Sequence, residues 1–131
     1  MTSYSTAIAA LTITTVSIAD GAGRKAANVD NSTDKWQKIH WYARFKSGSV
    51  AHDVGSIITV YAFREDGHAT NYITDGEADT DSALSAKPEN AIPIGSIVFD
   101  ATTAKFFYGE GVWRNPGPGE WSIGFFNETG Q

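Results

Sequence analysis

The clearest periodicity in the chain runs over residues 36–46, where Ile39, Trp41, Ala43 and Phe45 alternate with His40, Tyr42, Arg44 and Lys46. A period of two puts alternate side chains on opposite faces of a strand, so the segment predicts a half-buried β-strand. Residues 56–64 differ, because Ile57, Ile58, Val60, Tyr61 and Phe63 are apolar on both parities. That pattern predicts a central strand covered on two sides. Towards the end, Trp121, Ile123 and Phe125 share one face of a strand predicted over residues 120–127.

Weaker patterns fill the rest. Residues 11–18 are rich in Thr, Ile and Val, which suits a pleated surface. Leu11 and Ile13 fall on one parity and Val16 and Ile18 on the other, so a bulge is expected near Thr14 or Thr15. Residues 70–74, 92–100, 104–108 and 111–115 read as further strands. Residues 20–34 carry Gly21, Gly23, Asn28, Asp30, Asn31, Ser32 and Thr33 and predict a long loop. Glu65-Asp66-Gly67 predicts a turn, and residues 75–90 an acidic surface loop with one weak helical turn over 81–86. The run Asn115-Pro116-Gly117-Pro118-Gly119 cannot be regular, because Pro fixes φ and Gly frees it.

About seven or eight short strands with long loops and no convincing helix predict an all-β fold, an antiparallel β-sandwich or jelly roll. One domain is expected over residues 11–131, preceded by a flexible Ser/Thr-rich arm over residues 1–10 that orders only against a partner.

Composition narrows the chemistry. The chain has 131 residues, and 41% of them are hydrophobic, enough for a core without staples. Cysteine is absent, which excludes a disulfide scaffold and a thiolate zinc site. Ten Lys+Arg against fifteen Asp+Glu give a net charge of −5, and the basic residues are scattered, so no nucleic-acid partner is expected. The N-terminal segment lacks a basic n-region, and Thr12, Thr14 and Thr15 interrupt its apolar residues. Neither an export signal nor a membrane-spanning helix is read there.

No catalytic motif emerges, and the chain is expected not to be an enzyme. His40, His52 and His68 lie 12 and 16 residues apart with no tight ligand spacing, and they read as solvent-facing or locally bonded. A Gly-x-Ser-x-Gly elbow is missing, and Gly21-Ala22-Gly23 before Arg24 and Lys25 does not make a phosphate loop. Four carboxylates within residues 75–81 raise calcium, but the EF-hand order is not met and a solvated acidic loop is the expectation. No metal or cofactor is expected. Two Asn-x-Ser/Thr patterns begin at Asn31 and Asn127. The first reads as turn chemistry, with Asp30 and Asn31 bonding nearby backbone N–H groups.

The aromatics remain. Trp41 and Trp121 lie in apolar alternation and are expected in the core. Trp36 and Trp113 fall at strand edges, where exposure suits either sugar stacking or a protein–protein contact.

Several segments together carry a resemblance: the Thr/Ile-rich first strand, Gly23-Arg24-Lys25, Val29-Asp30-Asn31-Ser32-Thr33, and the aromatic and basic strand that follows. With them go Val60-Tyr61-Ala62, Glu65-Asp66-Gly67, Asn71-Tyr72, Trp121-Ser122-Ile123-Gly124 and Asn127-Glu128-Thr129-Gly130. Their order is similar to that in small tailed-phage virion proteins that decorate, or cement, the capsid. The resemblance implies a non-enzymatic homo-oligomer, a dimer or trimer, that is assembled in the host cytoplasm and bound to the major capsid protein on the virion surface. Partner contacts are expected from Tyr4 and Ile8 of the arm, from Arg24 and Lys25, and from Trp36 and Trp113. The alternative is a carbohydrate-binding module or a tail or fibre receptor-binding domain using Trp36 or Trp113; a hydrolase comes third.

Overall fold

The computed structural model describes residues 18–33, 35–64, 80–84 and 86–130. Those residues form eight strands and no helix, so the fold is all-β with two antiparallel sheets. The strands are β1 (Gly23–Lys25), β2 (Val29–Asp30), β3 (Lys38–Lys46), β4 (Ile57–Arg64), β5 (Ser82–Leu84), β6 (Ile92–Val98), β7 (Phe106–Arg114) and β8 (Glu120–Glu128).

The larger sheet is built outward from the two most apolar strands. β4 and β8 pair along their whole length, from Ile57 opposite Glu128 to Arg64 opposite Trp121. β1 and β2 add in succession to the far side of β8, β5 adds to β1, and β6 adds to β4, giving the order β5-β1-β8-β4-β6 with β2 also beside β8. Being at an edge, β6 tolerates Pro93, which has no N–H to give to a neighbour. Its register slips by one residue against β4, as Val60 faces Gly95 and Tyr61 faces Pro93, leaving Ile94 as a bulge. The smaller sheet is β3 paired with β7, nine residues against nine, from Lys38 opposite Arg114 to Lys46 opposite Phe106.

One face of the large sheet and the inner face of the small one share a core. Ile58, Val60 and Ala62 of β4 and Trp121, Ile123 and Phe125 of β8 cluster with Trp41 of β3 and Phe107 and Trp113 of β7. Rings meet edge-on across the layers, Phe45 to Phe125 at 4.6 Å and Trp113 to Trp121 at 5.9 Å. Burying each such side chain stabilises the fold by about 1.5–3 kcal/mol. The opposite parity of β4 and β8 carries a second cluster, in which Tyr61, Phe63 and Phe126 lie with Leu84 and Ala91. The two-sided covering expected for residues 56–64 is therefore present.

Several expectations change. The loop expected over residues 20–34 contains β1 and β2, short strands of small and polar residues defined by backbone pairing to β8. Residues 82–84 are β5 where a helical turn was expected. The strands expected over 104–108 and 111–115 are one strand, β7, and Gly109-Glu110-Gly111 is not a turn. Both glycines sit mid-strand because neighbours leave no room for a side chain: a Cβ on Gly109 would crowd Ile97 and the Ser96 carbonyl of β6, and the Trp41 indole lies across Gly111. A Cβ on Gly111 would stand 2.8 Å from Trp41 Nε1, and one on Gly95 of β6 would run into the same ring. The arm, residues 11–17 of the strand expected over 11–18, the turn at 65–67 and the strand over 70–74 lie outside the described residues, and Ile18 itself is not in a strand.

Candidate functional site

Alternation along β3 and β7 leaves a ten-residue outer face that the core does not use. Going along the ribbon, the directly opposed pairs are Lys38 with Arg114, His40 with Val112, Tyr42 with Glu110, Arg44 with Tyr108, and Lys46 with Phe106. All ten are exposed, Tyr108 by 69% and Tyr42 by 62%. The two tyrosine rings stack across the strands at 6.2 Å and 28°. The Arg44 guanidinium lies 4.5 Å from the centre of the Phe106 ring, and the Lys46 ammonium 5.6 Å from it. His40 Nε2 approaches the Glu110 carboxylate at 3.7 Å. Rows of opposed aromatics and cations of this kind are held by cross-strand packing and cation–π attraction, each a modest effect at an exposed site.

Of the partner contacts expected from sequence, those that are described lie off this face. Tyr4 and Ile8 lie outside the described residues. Arg24 belongs to β1, not a loop, and its Nε donates to Asp81 Oδ1 at 2.9 Å. Lys25 is fully buried, and its ammonium donates to the Ala26 carbonyl at 2.8 Å and to Asn28 Oδ1 at 3.0 Å. Its next neighbour, Asn28, donates in turn to Glu120 Oε2 at 3.2 Å. A buried lysine is retained where acceptors replace its water, and this one ties β1 to the start of β8.

Trp113, expected at an exposed edge, is only 5% exposed, because it falls on the inner parity of β7 against Trp121. Trp36 is half-buried. Its backbone N–H donates to Asn31 Oδ1 at 2.7 Å, and its carbonyl accepts from Asn31 Nδ2 at 3.0 Å. Asn31 also donates to the Gly117 carbonyl at 2.7 Å, so its carboxamide joins the 31–36 loop to the 115–119 turn. Asp30 accepts the Ser32 N–H at 2.8 Å, a bond that holds its carboxyl below the usual range. The turn chemistry expected of Asp30 and Asn31 is thus present. Asn127, at the second glycosylation pattern, is buried and donates to the Ile18 carbonyl at 2.8 Å.

Among the described residues, histidines and acids do not converge. His40 is exposed as expected, and His68 lies outside the described residues. His52, expected in a turn and solvent-facing or locally bonded, is buried beside the Phe99 ring at 4.9 Å, with no hydrogen-bond partner at either nitrogen among the described residues. Among the described residues no three metal-ligating side chains gather. Of the four acids over residues 75–81 only Asp81 is described, and it faces Arg24. Two smaller polar groups brace the large sheet and the start of β7. Lys87 donates to Glu128 at 2.8 Å beside Tyr61, which raises the lysine pKa, while burial raises that of the Tyr61 phenol. Asp100 accepts from Lys105 at 2.6 Å and from the Thr102 N–H at 2.7 Å, and its pKa falls to about 2.

Sequence reasoning missed Phe106 and Tyr108. Dividing β7 at its glycines hid the fact that Phe106, Tyr108 and Val112 share the parity that opposes Tyr42, Arg44 and Lys46. Compared with protein-family models, with curated proteins and with solved structures, the chain matches none.

Proposed function

We propose that this chain is a non-enzymatic structural module of a tailed-phage virion, a capsid decoration protein of the β-sandwich or jelly-roll class. It fastens to the major capsid protein lattice and to further copies of itself. The observation that carries the reading is the outer face of β3 and β7, where Tyr42, Phe106, Tyr108 and Val112 stay exposed although the core is filled without them. Contiguous exposed apolar surface on a folded domain marks an interaction site. A flat ribbon offers contact area for a lattice rather than a recess for a reacting substrate. Weak contacts suffice, since a neighbour already engaged raises the effective concentration of the next.

The test is sedimentation of the purified protein with undecorated heads of the phage that carries it. Saturable co-sedimentation at a fixed ratio to capsid subunits is expected, and a protein that stays in the supernatant at all ratios contradicts the proposal. The stacked Tyr42–Tyr108 pair specifically favours one second reading, a carbohydrate-binding or receptor-binding domain with a tyrosine platform in place of the buried Trp113. Glycan-array binding that disappears in Tyr108→Ala would establish that reading instead.

A further inference from the structure

The cations of this chain differ in what the fold gives them. Among the described residues, Arg24, Lys87 and Lys105 each meet a carboxylate, at 2.9, 2.8 and 2.6 Å. Lys35, Lys38, Arg44, Lys46 and Arg114 meet no described carboxylate within 4.0 Å, and the last four stand on the outer face of β3 and β7. One carboxylate, Glu110, shares that face with them. In a chain of net charge −5, a face with four cations and one acid is a local reversal of sign. Surface charges that the fold leaves without counter-charges are the ones an oppositely charged partner can use.

We propose that this face is the docking surface and that its occupant is an acidic protein surface on a different chain; the proposal rests on the structural-module reading above. Charge complementarity calls for carboxylates, and the aromatic chemistry argues for protein rather than polyphosphate or sugar. The Phe106 ring already has Arg44 and Lys46 over it, and cations flanking the stacked Tyr42–Tyr108 pair suit a charged protein surface better than a neutral sugar. A guanidinium held against a ring keeps its N–H edge available for bidentate pairing with a carboxylate. Tyr and Arg around an apolar residue such as Val112 match the composition of protein–protein hot spots. A nucleic acid gains its affinity by releasing counterions from many phosphates, which four cations on one short face supply poorly. A second copy meeting face to face would oppose cations to cations, which disfavours a symmetric pairing. Nine-residue strands make the ribbon about 30 Å long and about 10 Å wide, a footprint of roughly 300 Å². That is well below the roughly 800 Å² per partner of a stable isolated complex, so each contact is weak and depends on repetition along a lattice.

Two sets of measurements test this. In the first, wild type and the double variant Arg44→Glu/Lys46→Glu are sedimented with undecorated heads over a range of salt. Attachment of the double variant should fall by at least about tenfold with a flatter salt dependence, and Glu110→Gln should strengthen attachment. Equal attachment of wild type and double variant overturns the docking surface while leaving the structural role standing. In the second, the soluble protein is titrated with poly-L-glutamate, oligothymidylate and heparin. Poly-L-glutamate should bind most tightly, with binding lost in the double variant, and this holds for the face even if no head is bound. Tighter binding of oligothymidylate or heparin than of poly-L-glutamate overturns the choice of partner. Circular dichroism and urea unfolding of each variant separate lost binding from lost folding.

Discussion

The β4–β8 pair and the β3–β7 ribbon are both long antiparallel pairings, yet they spend their side chains differently. β4 is buried from Ile58 to Phe63 and β8 from Trp121 to Phe126, on both parities. The ribbon is buried on one parity, and its other carries aromatics and cations in solvent. In the central pair every large apolar group has a packing partner, so composition there is explained by stability. In the ribbon, Trp41, Phe45, Phe107 and Trp113 explain its attachment to the large sheet, while Tyr42, Phe106 and Tyr108 have no such role. Surplus aromatic surface held in order at no visible gain to the core is the signature of a binding face.

Substitutions across the two regions should separate by size of effect. The largest loss is expected in the central pair, where Phe63 is completely buried; Phe63→Ala should cost about 3–5 kcal/mol in urea unfolding, with the transition still cooperative. Lys25→Ala, which removes the buried ammonium beside β8 and strands its acceptors, should cost about 3 kcal/mol. Gly95→Ala probes where the ribbon meets the large sheet, because the added methyl strikes the Trp41 indole. A loss of about 1–3 kcal/mol is expected, and it should be recovered in part by a smaller residue at position 41.

The smallest effect is electrostatic and lies just before β7. The Asp100 carboxyl, held by Lys105 and Thr102, has a pKa of about 2 against an ordinary 3.8. A depressed folded-state pKa means the unfolded chain binds its proton first, so the stabilisation is complete above about pH 4 and lost as pH falls through about 2. Asp100→Asn should remove that part of the acid dependence, and carboxyl titration followed by NMR checks the assignment.

How much could be read in advance follows the length of each pattern. Nine residues of strict alternation fixed both faces of β3, and apolar residues on both parities marked β4 as central. β1, β2 and β5 are two or three residues long and are defined by pairing with β8 or with one another, so no local periodicity announces them. Glycine inside a strand ordinarily signals a break, which divides β7 on paper; the reasons for the glycines are distant in sequence, Ile97 and the Ser96 carbonyl against Gly109 and Trp41 against Gly111. The same division misplaced Trp113 at an exposed edge and concealed the outer face. Lys25 reads from sequence as a partner contact beside Arg24, since its acceptors at Ala26 and Asn28 are ordinary residues until the chain folds them around it.

Unfolding of the double variant Tyr42→Ser/Tyr108→Ser in urea tests the division between the two regions most directly. If the outer face is spare to the fold, removing the stacked pair should cost no more than about 1 kcal/mol, the scale of a cross-strand contact. A loss of about 3 kcal/mol or more, comparable with truncating a core aromatic, would mean that these tyrosines hold the fold together, and the binding face would have no basis.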